Sequence, residues 1–339
     1  MRIGILNGGG DCAGLNAVTR AVVRKCQQYE YEIIGIRHGW SGLIDLDTTL
    51  LKWDDVAHII QVGGTILHTT RTNPFKTSEG PLKVMENVRK LGLDALIAVG
   101  GEDTLSVAAK LVPLGLKVVG VPKTIDNDIV GADVTFGFDS AVNVTVEAID
   151  RIQTTGESHD RIMVVEVMGR HAGWISAYAG IASGANLILV PEQPFDIGDV
   201  CDFLRRRHHA KKTTSIIVVG EGCTIKNQAT ENRETDDFGH ARLGGIGETL
   251  AREIEKRVGI ETRAVVLGHV VRGGAPSAYD RILATRLGVA AVQTIREREF
   301  GVMVCLRSNK MSRIPLIDIL GKMKNLDEET FNLMSDFRT

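Results

Sequence analysis

The 339-residue chain predicts an α/β protein built as two three-layer α/β/α domains with mostly parallel sheets. Three observations lead there. Short apolar runs alternate with helix-length segments along the chain. The runs are continuously apolar rather than alternating, the pattern of strands covered on both faces. The 37 glycines fall largely in pairs at the ends of those runs, where the backbone must turn tightly.

Taken in order, residues 2–7 read as a strand, and 13–29 as the helix after it. A strand at 32–37 follows, then a helix at 81–91, a strand at 95–99 and a helix at 104–111. The apolar run 117–122 is a buried strand, and 140–155 a long helix. Further strands fall at 162–167, 186–190, 215–219, 263–267 and 302–306, with helices at 200–209, 247–257 and 276–298. These strands suffice for two sheets joined by right-handed crossovers. The chain crosses between domains near Phe138 and near Val270, where glycine-rich turns interrupt the pattern, giving one domain of 1–138 plus 270–322 and another of 139–269 plus 323–339. The hydrophilic stretch 222–245 lacks periodicity and reads as a long exposed loop, and 317–339 as an amphipathic helix packing back on the body.

Composition narrows the function. Hydrophobic residues make up 43% and charged residues 24%, as in a globular protein, and the net charge of -2 argues against a general nucleic-acid binder. Five scattered cysteines without a C-x-x-C pair suggest reduced thiols and no zinc site. No apolar stretch reaches the roughly 18–20 residues that span a bilayer. A strand beginning at Arg2 leaves no room for a signal peptide, so a soluble cytoplasmic protein is expected.

Two turns carry the chemistry. Gly100-Gly101-Glu102-Asp103-Thr104 and Pro122-Lys123-Thr124-Ile125-Asp126-Asn127-Asp128 each end an apolar strand, bringing four carboxylates and an ammonium to one sheet edge. Carboxylates hold a hard cation, glycines admit phosphate oxygens, and a base can deprotonate a hydroxyl, so the mixture suits phosphoryl transfer. A third turn, Gly8-Gly9-Gly10-Asp11-Cys12-Ala13-Gly14, opens the first helix, where backbone N–H groups and the helix dipole favour an anion. Its spacing misses the dinucleotide fingerprint by one residue, and no acid follows the second strand to hold a ribose. P-loop and protein-kinase motifs are absent. Taken singly, Asp126 and Asp128 are also ordinary turn residues, Asp103 a helix N-cap, and His269 a structural histidine.

In series, these motifs resemble the bacterial-type 6-phosphofructokinase family. The resemblance runs from Gly8-Gly9-Gly10-Asp11 through Gly63-Gly64-Thr65 and Arg71, both catalytic turns, and Val165-Glu166-Val167-Met168-Gly169-Arg170. It continues through Pro191-Glu192 and Glu221-Gly222 to Leu267-Gly268-His269 and Arg272-Gly273-Gly274, in family order over nearly the whole chain. The resemblance implies an active site in the cleft between the domains, the first binding the phosphoryl donor and the second fructose 6-phosphate. It makes Asp126 the general base, Asp128 a supporting carboxylate, and Lys123 and Arg170 the cations that stabilise the transferred and leaving groups. Thr124, Ile125, Met168, Gly169 and Glu221 line the sugar pocket, and Arg161, Arg263, His269 and Arg272 hold the 6-phosphate, some from a neighbouring subunit. Gly10 and Arg71 contact the donor phosphates. Magnesium is the implied cofactor, with Glu102 at a position where aspartate is more usual.

In the family the donor turns on two positions, Asp103 and Lys123, of which Asp103 is the stronger discriminator. ATP-using members typically carry glycine there, leaving room for the nucleotide α-phosphate, whereas a carboxylate fills that volume and repels a third phosphate. Pyrophosphate is therefore the expected donor, with ATP as the alternative and a non-catalytic sugar-phosphate sensor as a remote one. A homodimer or homotetramer with shared active sites follows from the resemblance, with no nucleic-acid or membrane partner. The basic run from Arg205 to Lys212 reads as a solvated helix end; basic residues in this general region of allosteric relatives bind a phosphorylated effector.

Overall fold

The uninterrupted apolar run Ile3–Leu6 can be buried on both faces only inside a sheet, and it forms the centre of β1 (Arg2–Asn7), flanked by strands on either side. The structure, a computed structural model, describes residues 1–226, 238–239 and 243–336. The chain divides into two units. The first contains Met1–Ser140 and Arg272–Lys324. The second contains the described residues between Ala141 and Val271, apart from a short stretch around Phe238, together with the C-terminal helix.

After β1 come α1 (Leu15–Gln28), β2 (Glu32–Ile36), α2 (Gly39–Asp45), β3 (Thr48–Leu50), α3 (Trp53–Val56) and α4 (Gly80–Lys90). Next are β4 (Ala95–Gly100), α5 (Glu102–Leu111), β5 (Val118–Thr124), the two-residue β6 (Phe136–Gly137) and α6 (Phe138–Ser158). The second unit supplies β7 (Ile162–Val167), α7 (Trp174–Ala182), β8 (Leu187–Leu189), α8 (Ile197–His209), β9 (Ser215–Gly220), α9 (Ile246–Val258) and β10 (Thr262–Val266). The chain then returns to the first unit with α10 (Ala278–Arg296), β11 (Val302–Arg307) and β12 (Lys310–Pro315), and ends in α11 (Glu328–Asp336).

The first unit holds an eight-stranded sheet in the order β12-β11-β5-β4-β1-β2-β3, with β6 paired on β5. Among the described residues β2–β3 and β11–β12 are the antiparallel pairs of this sheet. Leu6, Leu96, Ala98, Leu105, Val118 and Met303 form part of its core. The register pairs Gly100 with Pro122, so the turns that follow β4 and β5 emerge side by side. The second unit holds a wholly parallel sheet, β10-β7-β9-β8. Its core includes Ile162, Val164, Ile217, Val219, Leu250 and Ile254. Glu166 is a charged residue inside this sheet, and its carboxylate accepts the Gly245 and Gly247 N–H groups at 3.0 and 2.7 Å. It thereby caps α9, whose own N-terminal residue offers no side-chain cap.

Three sequence expectations need correction. The terminal segment is not one helix: Leu316–Ile319 forms a short 3-10 turn, and Gly321 takes φ 63°. Helix resumes only at Glu328, after Asp327 accepts the Thr330 N–H at 2.8 Å as a cap. Asp103 is not an N-cap, because α5 starts one residue earlier with Gly101 as its cap, and both Glu102 and Asp103 lie in the first turn. Of the expected loop 222–245, Cys223 turns back on Gly220 and Ile225 bridges to Phe195, while 227–237 and 240–242 lie outside the described residues. Among the described residues no helix is long and apolar enough to cross a membrane.

A polar knot lies inside the first unit. Asp280 of α10, fully buried, accepts the Ser140 N–H and Oγ–H on one carboxylate oxygen at 2.8 and 2.6 Å. Burial pushes this carboxyl up to about 6, against the hydrogen bonds from Ser140, with Asp139 adding to the rise. The sign follows. A carboxyl whose folded value exceeds its unfolded one of 3.8 destabilises the fold once ionised, so the penalty is absent below the unfolded value and complete above about 6. It amounts to about 3 kcal/mol. Between pH 4 and 7.5, calorimetry should show the melting temperature of Asp280→Asn rising relative to wild type; a pH-independent difference would contradict the shift.

Candidate active site

The glycine turn at residues 8–14 is built from beneath. Gly8 N–H donates to Val99 O at 2.9 Å and Gly9 N–H to Thr70 O at 3.0 Å, tying the turn to β4 and to the 69–72 segment. Below it lie two cations. Lys123 Nζ donates to Gly10 O, and Arg272 Nη1 to Asp11 O at 3.1 Å. With the carbonyls of the turn drawn towards these groups, its remaining polar face suits an anion. A Cβ on Gly10 would lie 2.7 Å from Arg272 Nη1, so a side chain there would push the guanidinium away from the turn. Lys123 is 3% exposed, and burial lowers its ammonium below the ordinary lysine value, while Cys12, Asp126 and Asp11 oppose the fall and Arg272 adds to it. Burial also pushes the Cys12 thiol up to about 12, so it stays protonated and inert.

The carboxylate turn 124–128 leaves β5 at Thr124. Asp126 N–H donates to Thr124 Oγ1 at 3.0 Å, Asn127 takes φ 54°, and Asn127 Oδ1 accepts the Thr135 N–H at 3.1 Å. Asp126 is 6% exposed, and its Oδ1 is buried without a hydrogen-bond partner in the structure. A buried carboxylate oxygen with no partner is costly unless a ligand proton completes it. Asp128, in the same turn, is half-buried, Ile125 is fully buried, and Arg71 is exposed.

Glu102 and Asp103 stand at the N-terminus of α5, where acids favour the helix dipole. Ser106 Oγ donates to Glu102 Oε1 at 2.5 Å, leaving the second carboxylate oxygen for another bond. Among the described residues no three His, Cys, Asp or Glu side chains converge as a metal cage. The set fits magnesium held by one or two carboxylates, with phosphate and water oxygens completing the shell.

The second unit carries the remaining predicted residues. Met168, Gly169 and Arg170 form the turn after β7, in which Arg170 takes φ 50°, an uncommon conformation for a long side chain. The turn is held by Glu221, whose Oε1 accepts the Gly169 and Arg170 N–H groups at 3.3 and 3.1 Å. Arg161 and Arg263 converge on the Glu261 carboxylate at 2.8 and 2.6 Å. These pairings hold the two guanidiniums near one another, and an incoming phosphate would compete with Glu261 for them. His269 is exposed in the 3-10 turn Gly268–Arg272.

The structure therefore gathers Gly10, Arg71, Glu102, Asp103, Lys123, Thr124, Ile125, Asp126, Asp128 and Arg272 in the first unit. Arg161, Met168, Gly169, Arg170, Glu221, Arg263 and His269 lie in the second. Arg272, grouped by resemblance with the sugar-phosphate residues, lies in the first unit and donates to Asp11 O of the 8–14 turn. Two residues outside the sequence motifs also bear on the site: Thr135, whose Oγ1 donates to Thr124 O at 2.8 Å, and Asp280. The only local signal for Asp280 was the spacing Ser277-Ala278-Tyr279-Asp280, which matches a capping box.

Comparison with known proteins places this arrangement. The family model described as phosphofructokinase matches residues 2–295. The chain is 53% identical over 334 residues to the pyrophosphate--fructose 6-phosphate 1-phosphotransferase of Amycolatopsis methanolica, covering 98% of each. It is 47% identical over 334 residues to ATP-dependent 6-phosphofructokinase 3 of Streptomyces coelicolor, again covering 98% of each. Among solved structures, Pichia pastoris phosphofructokinase superposes with a TM-score of 0.85 at 30% identity, over 99% of this chain and 36% of that one. The pyrophosphate-dependent phosphofructokinase of Marinobacter aquaeolei gives 0.84 at 20% identity, covering 100% of this chain and 92% of that one, a likeness of fold. With its phosphate-handling turns on an α/β frame and these relatives along its full length, the chain belongs to the phosphofructokinase family of phosphotransferases.

Proposed function

We propose that the protein is a magnesium-dependent pyrophosphate--fructose 6-phosphate 1-phosphotransferase. The observation that carries the donor assignment is Asp103 in the first turn of α5, which follows β4, the neighbour of the strand bearing Lys123. A carboxylate there opposes a third phosphate, and the buried ammonium suits the charge on a departing phosphate. The 53% identity to the Amycolatopsis enzyme supports the same donor. ATP-dependent relatives at 47–48% identity make ATP the second reading.

In this reading Asp126 takes the proton from the sugar 1-hydroxyl as that oxygen attacks a pyrophosphate phosphorus in line. Its unpartnered Oδ1 supplies the acceptor. The bond between the bridging oxygen and the attacked phosphorus breaks, releasing phosphate and giving fructose 1,6-bisphosphate. Lys123 and Arg170 neutralise charge on the leaving and transferred groups, with Asp128 supporting the turn. Gly10 and Arg71 bind the donor. Thr124, Ile125, Met168, Gly169 and Glu221 shape the sugar site, and Arg161, Arg263 and His269 hold the 6-phosphate. Glu102 would hold magnesium, which when bound screens the phosphate charges. One phosphoanhydride is exchanged for one ester without ATP, so the reaction runs both ways, serving glycolysis and gluconeogenesis in the cytoplasm.

A homo-oligomer is part of this reading; Val266, the last residue of edge strand β10, and Val270 after it are 49% and 68% exposed, apolar surface that a second copy could cover. The test of the function is the initial rate of fructose 1,6-bisphosphate formation with pyrophosphate or ATP as sole donor. Turnover with pyrophosphate alone is expected. Turnover with ATP alone would keep the family and overturn the donor, and turnover with neither would leave a sugar-phosphate sensor.

A further inference from the structure

We propose that Asp280 is a positioning residue for phosphoryl transfer: its carboxylate anchors β6, and β6 keeps the donor turn and the catalytic turn in register. The inference deepens, and rests on, the phosphoryl-transfer reading above.

Strand β6 is only two residues long, yet it touches both turns. It pairs with the strand end that carries the catalytic residues, Lys123 opposite Phe136 and Thr124 opposite Gly137. Thr135, just before it, holds the catalytic turn twice, by its hydroxyl to Thr124 O and its N–H to Asn127 Oδ1. The donor turn lies equally close. A Cβ on Gly137, which sits at φ 98°, would be 2.6 Å from Cys12 Sγ, and one on Gly14 would be 2.7 Å from the Phe136 ring. A displacement of β6 therefore moves Lys123 and Thr124 together with the loop whose Gly10 carbonyl Lys123 holds.

Two residues of ladder cannot hold such a piece alone. The anchor is the knot at the start of α6. Ser140 donates both its N–H and its hydroxyl to Asp280, and Ser140 Oγ accepts the Ser277 N–H at 2.9 Å. Ser277 Oγ donates to Asp139 Oδ2 at 2.5 Å and accepts the Asp280 N–H at 3.2 Å. Asp280 stands on α10, whose buried Leu283, Ala284, Leu287 and Ala291 fix it in the core. Burial and Asp139 disfavour the ionised carboxyl, so its ionisation costs stability at neutral pH while its hydrogen bonds fix the position of Ser140.

The test compares the full-length wild type with Asp280→Ala and Asp280→Asn, at a temperature where all are folded. Each is assayed with pyrophosphate and fructose 6-phosphate, and amide hydrogen exchange is followed in parallel. Asp280→Ala is expected to lower kcat about 10–100-fold and to raise the donor KM, with the sugar-phosphate KM within about twofold. Asp280→Asn keeps an acceptor oxygen for Ser140 and should restore kcat to within about threefold of wild type. Exchange should quicken at residues 10–14 and 123–127 in the alanine variant. Unchanged kcat and donor KM in a folded Asp280→Ala, or a loss that asparagine does not restore, would overturn the proposal. If the alanine variant fails to fold, Ser140→Ala removes one of the two bonds and should give the same split at smaller size; an unchanged enzyme overturns the idea. If the wild type turns over with neither donor, the functional reading fails by itself. Exchange confined to the two turns would then still support the anchor, and unaltered exchange there would sink it.

Discussion

Asp126→Asn should lower kcat about 10²–10⁴-fold while leaving the KM for fructose 6-phosphate within about threefold. The substitution is nearly isosteric. The N–H of residue 126 keeps its bond to Thr124 Oγ1, and Asn127 keeps its bond to Thr135, so the turn retains its shape. What is lost is a proton acceptor at the buried Oδ1 position. A second consequence falls on Lys123. Burial already lowers that ammonium, and the Asp126 charge is one of the groups holding it up. Removing the charge lowers it further, so the residual rate of the variant should fall away on the alkaline side at lower pH than that of the wild type. Wild-type rates at all pH values would rule out Asp126 as the base.

The second large effect concerns the donor. Asp103→Gly should raise ATP-supported turnover about tenfold or more, since removing a like charge that faces the third phosphate is worth several kcal/mol, and should lower pyrophosphate-supported turnover, because the enlarged site no longer fits the shorter donor. The fold tolerates the change. Residue 103 lies in the first turn of α5, Glu102 remains to complement the dipole, and glycine at a helix position costs only about 1 kcal/mol. Parallel kinetics with both donors, alongside melting curves, check it. A variant that loses pyrophosphate use without gaining ATP use would show that Asp103 binds rather than selects.

How much could be read beforehand depended on where the determining contacts lie. Strands such as Ala95–Gly100 and Ser215–Gly220 are buried at every position, and a continuous apolar run announces that. The pieces that escaped are short or lack contrast. Strand β3 is three residues with a half-exposed pattern, and β12 runs along the outer edge beside β11 with only partial burial. Helix α7, Trp-Ile-Ser-Ala-Tyr-Ala-Gly-Ile-Ala, is mostly buried and apolar nearly all round, so no polar face marks its period. In the site, glycine pairs and carboxylate turns are local and were legible. The roles of Arg272 under the donor turn and of Asp280 under β6 depend on contacts across 261 and 140 residues of chain, which no local pattern records.

The central claim is that pyrophosphate itself supplies the phosphoryl group, and following its phosphorus tests this most directly. With pyrophosphate labelled at both phosphorus atoms and unlabelled fructose 6-phosphate, each turnover should place one labelled phosphorus at the 1-position of the bisphosphate and one in free phosphate. No label on the sugar, with transfer instead from the γ-phosphate of labelled ATP under the same conditions, would contradict the account.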